Sequence, residues 1–104
     1  MAAALADDLH GTVVGWPSFD RWSLGIQLVR SADSVGANIA EGVGRASARD
    51  QRRMLVIARG SLFELEHWTT RAGARGLLDV GSYGARIEEL ARTLAGPIRS
   101  IQAS

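Results

Sequence analysis

The sequence predicts an all-α protein, an antiparallel up-down four-helix bundle that assembles into a homo-oligomer. Apolar residues recur at spacings of three and four along nearly the whole chain, and alternating strand patterns are nearly absent. Segments with glycine or proline divide this pattern into four helices with short connections, as is typical of an up-down bundle. A chain of 104 residues is too short for two self-sufficient cores, so we expect a single domain over residues 1–104.

The first helix is predicted over about residues 2–14 and the second over about residues 19–43. Pro17 separates them, because a proline drives the residue before it out of helical geometry. Ser18 can cap the second helix, and Asp20 lies in its favourable first turn. The apolar stripes of these two helices are Leu5, Leu9 and Val13, and Leu24, Leu28, Ala32, Val35 and Ile39.

The third helix is predicted over about residues 48–75 and the fourth over about residues 81–102. Ser47 lies at the N-cap of the third helix, with Asp50 in the capping-box position three residues later. Gly76 follows this helix at the C-cap, where glycine is favoured. The residues predicted to face the core are Leu55, Ala58, Leu62, Leu65 and Thr69 in the third helix, and Tyr83, Ile87, Leu90, Leu94, Ile98 and Ile101 in the fourth.

The third helix also carries apolar residues outside its core stripe. At about 100° per residue, Ile57 and Trp68 lie to one side of the stripe, and Val56 and Phe63 lie on the other. A helix with several apolar faces is usually buried on more than one side, which a bundle of this size cannot provide by itself. We therefore predict that these four residues form an oligomer interface. The alternative is a set of scattered exposed apolar side chains, which any surface carries.

No enzymatic or metal-binding pattern emerges from the motifs. The chain has no cysteine, which excludes disulfides, thiolate zinc sites and a cysteine nucleophile. His10 and His67 are far apart, and the single E-x-x-H from Glu64 to His67 lacks the second copy of a ferritin-like di-metal site. We predict a non-enzymatic protein with no metal or cofactor. Because neither a membrane-spanning apolar run nor a signal-peptide pattern is present, we expect no membrane association and a cytoplasmic location.

The stretch from Asn38 to Arg45 places polar residues among alanines and glycines. Asn38, Glu41 and Arg45 line one side of the second helix, and Glu41 precedes Arg45 in the orientation that favours a helical ion pair. Gly42 and Gly44 are the usual means of ending a helix, and small residues here let another helix approach closely. We predict that these five residues have a structural role, fixing the end of the second helix against its neighbours.

Five arginines around the start of the third helix form a candidate nucleic-acid-binding surface. The net charge of +1 predicts no polyanionic partner by itself, but all twelve basic residues are arginine, which favours bidentate phosphate contacts. Repeated around an oligomer, such a surface could hold a nucleic-acid backbone. The alternative is a solvated helix whose arginines reflect codon bias. The five residues are Arg45, Arg49, Arg52, Arg53 and Arg59.

Two stretches carry a resemblance to a known family. They are R-S-A-D-S-V-G-A-N-I-A-E-G-V-G-R-A-S at residues 30–47 and I-A-R-G-S-L-F-E-L-E at residues 57–66. They resemble the bacterial four-helix-bundle family founded on proteins encoded in intervening sequences of 23S ribosomal RNA genes, often labelled S23 ribosomal protein. The hallmark A-N-I-A-E-G-x-G-R of that family is present at residues 37–45, and W-P-x-x-D-R-W-x-L-G at residues 16–25 is similar to its upstream motif.

The resemblance implies an antiparallel four-helix bundle that assembles as a homopentamer. A related branch comprises the accessory variability determinants of diversity-generating retroelements, which are strongly basic and work with a reverse transcriptase and its RNA. This chain departs from that branch, since its net charge is +1 and it has no lysine. It also has Gly36 where family members usually have proline.

Residues and resemblance together lead to one functional hypothesis and one alternative. We expect a binding or assembly protein whose leading candidate ligand is RNA or DNA. The alternative is a protein-interaction scaffold, with an unidentified protein partner and no affinity for nucleic acid.

Overall fold

The computed structural model describes the backbone of residues 1–103 and the side chains of residues 1–101. This part of the chain contains four helices and no strand, which confirms the predicted all-α class. The molecule measures 47 × 21 × 18 Å, and its long axis agrees with the length of about 40 Å expected for a 27-residue helix. The helices are α1 (Ala2–Val14), α2 (three continuous segments, Ser18–Asp20, Arg21–Gly25 and Ile26–Val43), α3 (Ala48–Ala74) and α4 (Val80–Ala103).

Helix α2 contains a π-helical turn that no periodic signal in the sequence predicted. The turn covers Arg21–Gly25, and Gly25 within it is buried against α1. A Cβ atom at Gly25 would lie 2.6 Å from Cγ1 of Val13 and 3.3 Å from the carbonyl oxygen of Asp20. The π-helical turn therefore brings α1 and α2 into a contact that only glycine permits.

The core runs along the bundle axis and follows the predicted stripes. Helix α2 packs on both α1 and α3, and α4 packs mainly on α3. Leu55 and Ile39 pack against the core but are only half-buried, while Met54, which the predicted stripe omitted, is buried. Tyr83 and Ile101, at the two ends of the α4 stripe, are also half-buried. The residues between them, Ile87, Leu90, Leu94 and Ile98, are buried. The largest fully buried side chains are Leu9, Leu28, Val35, Leu62, Leu65, Thr69 and Ile87.

The ends of α3 follow the sequence prediction closely. The backbone amide of Asp50 donates to Oγ of Ser47 at 3.1 Å, which confirms Ser47 as the N-cap. At the other end, Gly76 has a positive φ of 71°, and the amides of Gly76 and Leu77 donate to carbonyl oxygens of the last turn. This is a Schellman motif, in which the left-handed residue is favourably glycine.

The ends of α2 differ from the prediction. Ser18 is the first residue of the helix rather than its cap, because Pro17 occupies the N-cap with an extended backbone and no side chain caps this end. Gly44 follows Val43 in a right-handed conformation, so the end of α2 does not use the left-handed freedom of glycine.

A tryptophan hydrogen bond connects the α1–α2 turn to the α3–α4 turn at one end of the bundle. Nε1 of Trp16, between α1 and α2, donates to the carbonyl oxygen of Leu77, between α3 and α4, at 2.9 Å. Because Trp16 is buried, its indole N–H requires a partner inside the protein. The bond therefore fixes the first turn against the last.

Candidate nucleic-acid interface and apolar surfaces

Asn38 belongs to a polar chain that links α2 to α3. Its Nδ2 donates to the carbonyl oxygen of Ser34 at 2.8 Å and to Oγ of Ser34 at 3.0 Å. Oγ of Ser34 lies 2.9 Å from Oγ of Ser61 on α3. A serine hydroxyl has one proton and two acceptor lone pairs, so Oγ of Ser34 can bond to both Asn38 and Ser61. The Asn38 side chain therefore contacts the hydroxyl that bridges the two helices.

Gly42 lies where α2 and α3 approach most closely within this motif. A Cβ atom there would be 3.1 Å from Cβ of Met54 and 3.5 Å from the carbonyl oxygen of Gln51. Nε2 of Gln51 in turn donates to the carbonyl oxygen of Arg45 at 2.9 Å, which fixes the connection between the helices. Both contacts are structural, and neither gathers groups for catalysis.

The predicted ion pair between Glu41 and Arg45 is present. Arg45 donates through a terminal nitrogen to the Glu41 carboxylate, and the side chains of Arg45 and Glu41 are 39% and 50% exposed. At this exposure, a pair spaced by four residues contributes only about 0.3–0.5 kcal/mol. The pair stabilises the end of α2 slightly, and it leaves Arg45 at the protein surface.

Three of the five candidate arginines come together on the first turns of α3. Arg49, Arg52 and Arg53 line a surface depression of about 320 Å³, together with Val56 and Ile57. Arg49 and Arg53 are exposed, and Arg52 is half-buried. We call these three residues the arginine surface.

The other two arginines lie outside this depression. Arg45 is in the connection before α3 and forms an ion pair with Glu41. Arg59 is half-buried two turns beyond Arg52 on the same helix face. The structure thus divides the predicted set into a local cluster of three and two flanking residues.

The ion pair within the arginine surface is weak. Nε of Arg53 lies 3.8 Å from Oδ1 of Asp50, and the two side chains are 57% and 48% exposed. Solvent screening leaves such a pair worth little, so Arg53 can exchange Asp50 for another anion at small cost. A phosphate oxygen is a suitable replacement, since guanidinium groups bind phosphate bidentately.

The four residues of the predicted oligomer interface differ in exposure. Phe63 is 58% exposed and Ile57 is 42% exposed, whereas Val56 and Trp68 are half-buried against the core. Trp68 also donates through Nε1 to Oε1 of Glu64 at 3.2 Å. The side chains that a partner could still cover are therefore mainly Phe63 and Ile57.

A second apolar surface lies between α1 and α2, where the sequence predicted no site. It is a groove of about 590 Å³ whose apolar lining includes Val14, Trp22 and Ile26. Trp22 is 67% exposed, Val14 52% and Ile26 43%. The signal in the sequence was the spacing of four between Trp22 and Ile26, beside the core stripe of α2. We call this the α1/α2 groove.

The histidines do not form a catalytic or metal-binding constellation. His10 lies at the rim of the α1/α2 groove, and exposed His67 on α3 packs edge-on against Trp68 with ring centroids 4.7 Å apart. Within the described residues, no group of three or more His, Cys, Asp or Glu side chains could hold a metal ion. Among residues 1–103, no helix combines the length and apolarity that a membrane span requires.

Comparison with known proteins now identifies the family. The sequence model of the 23S rRNA-intervening sequence protein family matches residues 1–96, which include α1, α2, α3 and most of α4. The family description names an intervening-sequence protein and no enzyme. A comparison with curated proteins finds no significant match. The four-helix, all-α fold agrees with the resemblance seen in the sequence, and the chain belongs to the 23S rRNA-intervening sequence protein family.

Proposed function

We propose that the protein is a non-enzymatic, cytoplasmic, antiparallel up-down bundle that assembles into a homopentamer and binds the phosphate backbone of RNA or DNA. The observation that carries the binding proposal is the arginine surface. Arg49, Arg52 and Arg53 share one depression, and the ion pair of Arg53 is exposed and long.

Contacts between α2 and α3 support the antiparallel arrangement. Gly42, near the end of α2, lies close to Met54, near the start of α3. Ser34 pairs with Ser61, and Gln27 shares a depression with Trp68. As the position along α2 decreases, the contacting position along α3 increases, as expected for helices that run in opposite directions.

Assembly is supported by apolar side chains that the single chain leaves exposed. Phe63 on α3 and Trp22 on α2 are each more than half exposed. Exposed aromatic side chains of this size are typical of protein interfaces. Assembly would also repeat the arginine surface in every protomer, so that phosphate contacts add.

The family name makes structured RNA the first ligand to test, since it refers to an intervening sequence of 23S rRNA. Fluorescence anisotropy with a labelled RNA hairpin and a labelled DNA duplex would measure affinity at low salt. The variant in which Arg49, Arg52 and Arg53 are all alanine should lose at least about tenfold in affinity, because three phosphate contacts are removed.

A matched control removes the same charge elsewhere. Arg71, Arg92 and Arg99 are exposed and lie outside the arginine surface. Replacing these three by alanine should change affinity little if binding is local to the arginine surface. Equal losses in both triple variants would mean that only net charge matters, and this would contradict the proposed interface.

A protein-interaction scaffold is the second candidate, and the exposed apolar α1/α2 groove favours it. That groove has an apolar lining and shares no residue with the arginine surface, which suits a protein partner better than a nucleic acid. Absence of RNA and DNA binding at low salt, in a protein that still assembles, would favour the scaffold over the nucleic-acid-binding protein.

A further inference from the structure

The α1/α2 groove has an apolar floor and a mainly basic rim. Val13, Val14, Trp22, Ile26 and Val29 form its apolar lining. Its charged lining residues are Arg21, Arg30 and Asp33, with His10 beside them. Arg21 is held in place by a hydrogen bond from its guanidinium to the carbonyl oxygen of Val14, at 3.3 Å, and it lies 5.9 Å from the ring centre of Trp22. The groove therefore suits an apolar group with acidic neighbours.

The α3 helix presents a group of this kind on another face. Phe63 is 58% exposed, and the exposed Glu64 and Glu66 follow it within the next turn of the helix. At about 100° per residue, these two carboxylates lie on opposite flanks of Phe63. Arg59 one turn earlier is half-buried, and Oε1 of Glu64 accepts a hydrogen bond from Trp68, which leaves its other oxygen for a partner. We call Phe63, Glu64 and Glu66 the α3 ridge.

We propose that the α1/α2 groove of one protomer receives the α3 ridge of a second copy of this chain. The Phe63 ring would cover the exposed faces of Trp22 and Ile26, and Glu64 and Glu66 would face the basic rim at Arg21 and Arg30. Apolar core and complementary charged rim are the usual anatomy of a specific interface. The inference rests on the self-assembly put forward above and names the two surfaces that meet.

The groove lies between α1 and α2 and the ridge lies on α3, and the proposed contact is heterologous: a protomer uses its groove with one neighbour and its ridge with another. Each protomer offers one groove and one ridge, and each copy therefore binds two neighbours through different surfaces. Contacts of this type generate a closed ring when the rotation between protomers closes, and a filament when it does not. In a two-fold symmetric dimer, the groove and the ridge of each protomer would instead both contact the same partner.

Two variants that block different sides of the contact test this arrangement. Trp22→Asp places a carboxylate in the groove, and Phe63→Asp removes the apolar part of the ridge. Both side chains are more than half exposed, so neither change disturbs the core. Ile26→Asp, at a residue 43% exposed, serves as a second groove variant. Circular dichroism verifies that each variant keeps its helix content.

Mass measured by light scattering after gel filtration should fall to the protomer mass of 11.1 kDa for each variant alone. An equimolar mixture of Trp22→Asp and Phe63→Asp should form a heterodimer of twice that mass, because one intact ridge meets one intact groove and growth then stops. Val43→Asp, a control at a residue 77% exposed that lies in neither surface, should keep the wild-type mass.

Several outcomes would overturn the pairing. Unchanged mass in both groove variants would exclude the groove, and a mixture that stays monomeric would exclude the heterologous contact. If Val43→Asp alone dissociates the assembly, the interface lies elsewhere. A wild-type protein that is monomeric at all concentrations would instead refute the self-assembly on which the inference rests, so the two failures are distinguishable.

Discussion

Replacing Gly25 by alanine tests the contact between α1 and the π-helical turn of α2. The added Cβ atom would lie 2.6 Å from Cγ1 of Val13, a distance that side chains in proteins do not sustain. Val13 is buried and β-branched, so it has few alternative rotamers and little space to move into. The backbone of Asp20, 3.3 Å from the new atom, restricts movement in the other direction. The strain therefore falls on the packing between the two helices.

Two opposing effects determine the free energy of unfolding of Gly25→Ala. Overpacking a well-packed core costs about 1–3 kcal/mol. Alanine in place of glycine within a helix gains about 0.8–1.0 kcal/mol. The net expectation is a loss of up to about 2 kcal/mol.

Gly84→Ala provides the matched control within α4. A Cβ atom at Gly84 meets nothing within 4 Å, so only the gain from helix propensity remains. This variant should be more stable than the wild type by up to about 1 kcal/mol. The same substitution is thus expected to have opposite signs at the two positions.

Urea denaturation followed by circular dichroism measures both variants at one protein concentration. The midpoint should fall for Gly25→Ala and rise for Gly84→Ala, with the slope of the transition unchanged. A gain in stability as large as that of Gly84→Ala would mean that no overpacking opposes the helix propensity, and it would refute the close approach of α1 to the π-helical turn.

Three other substitutions, with Ser18→Ala as a control for the first, test separate contacts by the same denaturation assay. Ser47→Ala should lose about 1 kcal/mol of stability because it removes the N-cap of α3, whereas Ser18→Ala should stay within about 0.5 kcal/mol since Ser18 caps nothing. Gly76→Ala should lose about 1–2 kcal/mol, because φ at this position is 71° and a side chain is disfavoured there; a stable variant would contradict the Schellman motif. Trp16→Phe should lower the free energy of unfolding by about 1 kcal/mol, because it removes the hydrogen bond from Trp16 to the carbonyl oxygen of Leu77. An unchanged midpoint would mean that this hydrogen bond contributes nothing to stability.

The helices and most of the core could be predicted because their signals are local and periodic. Leu24, Leu28, Ala32 and Val35 repeat at helical spacing, and all four are buried. The cap at Ser47 likewise depends only on residues three positions apart. Such features need no knowledge of which helix lies next to which.

The errors occur where contacts between helices decide the outcome. Met54 and Leu55 are adjacent apolar residues, and the buried one, Met54, lies closer to Gly42 of α2 than Leu55 does. The π-helical turn adds one residue to a single turn, a change too short to alter a periodic pattern. Its position reflects the packing of Gly25 against α1.

The candidate surfaces were predicted to different degrees. Clustering of Arg49, Arg52 and Arg53 followed from spacing along one helix, and the structure places them around one depression. The α1/α2 groove is formed by two helices and depends on the exposed position of Trp22 at the π-helical turn. The apolar stripe of α2 alone therefore does not predict it. Polar residues of the Asn38–Arg45 motif, by contrast, are engaged in contacts within the chain.

The salt dependence of RNA or DNA binding tests the proposed function most directly. Each phosphate contact contributes a slope of about −0.9 for duplex DNA, or about −0.7 for single strands, to a plot of log affinity against log salt concentration. We expect wild-type affinity to fall steeply with salt. Arg52→Ala and Arg53→Ala should each make the slope shallower by the contribution of about one phosphate contact in every protomer that binds the nucleic acid. No binding at low salt, or a slope that these substitutions leave unchanged, would contradict a phosphate-binding role for the arginine surface.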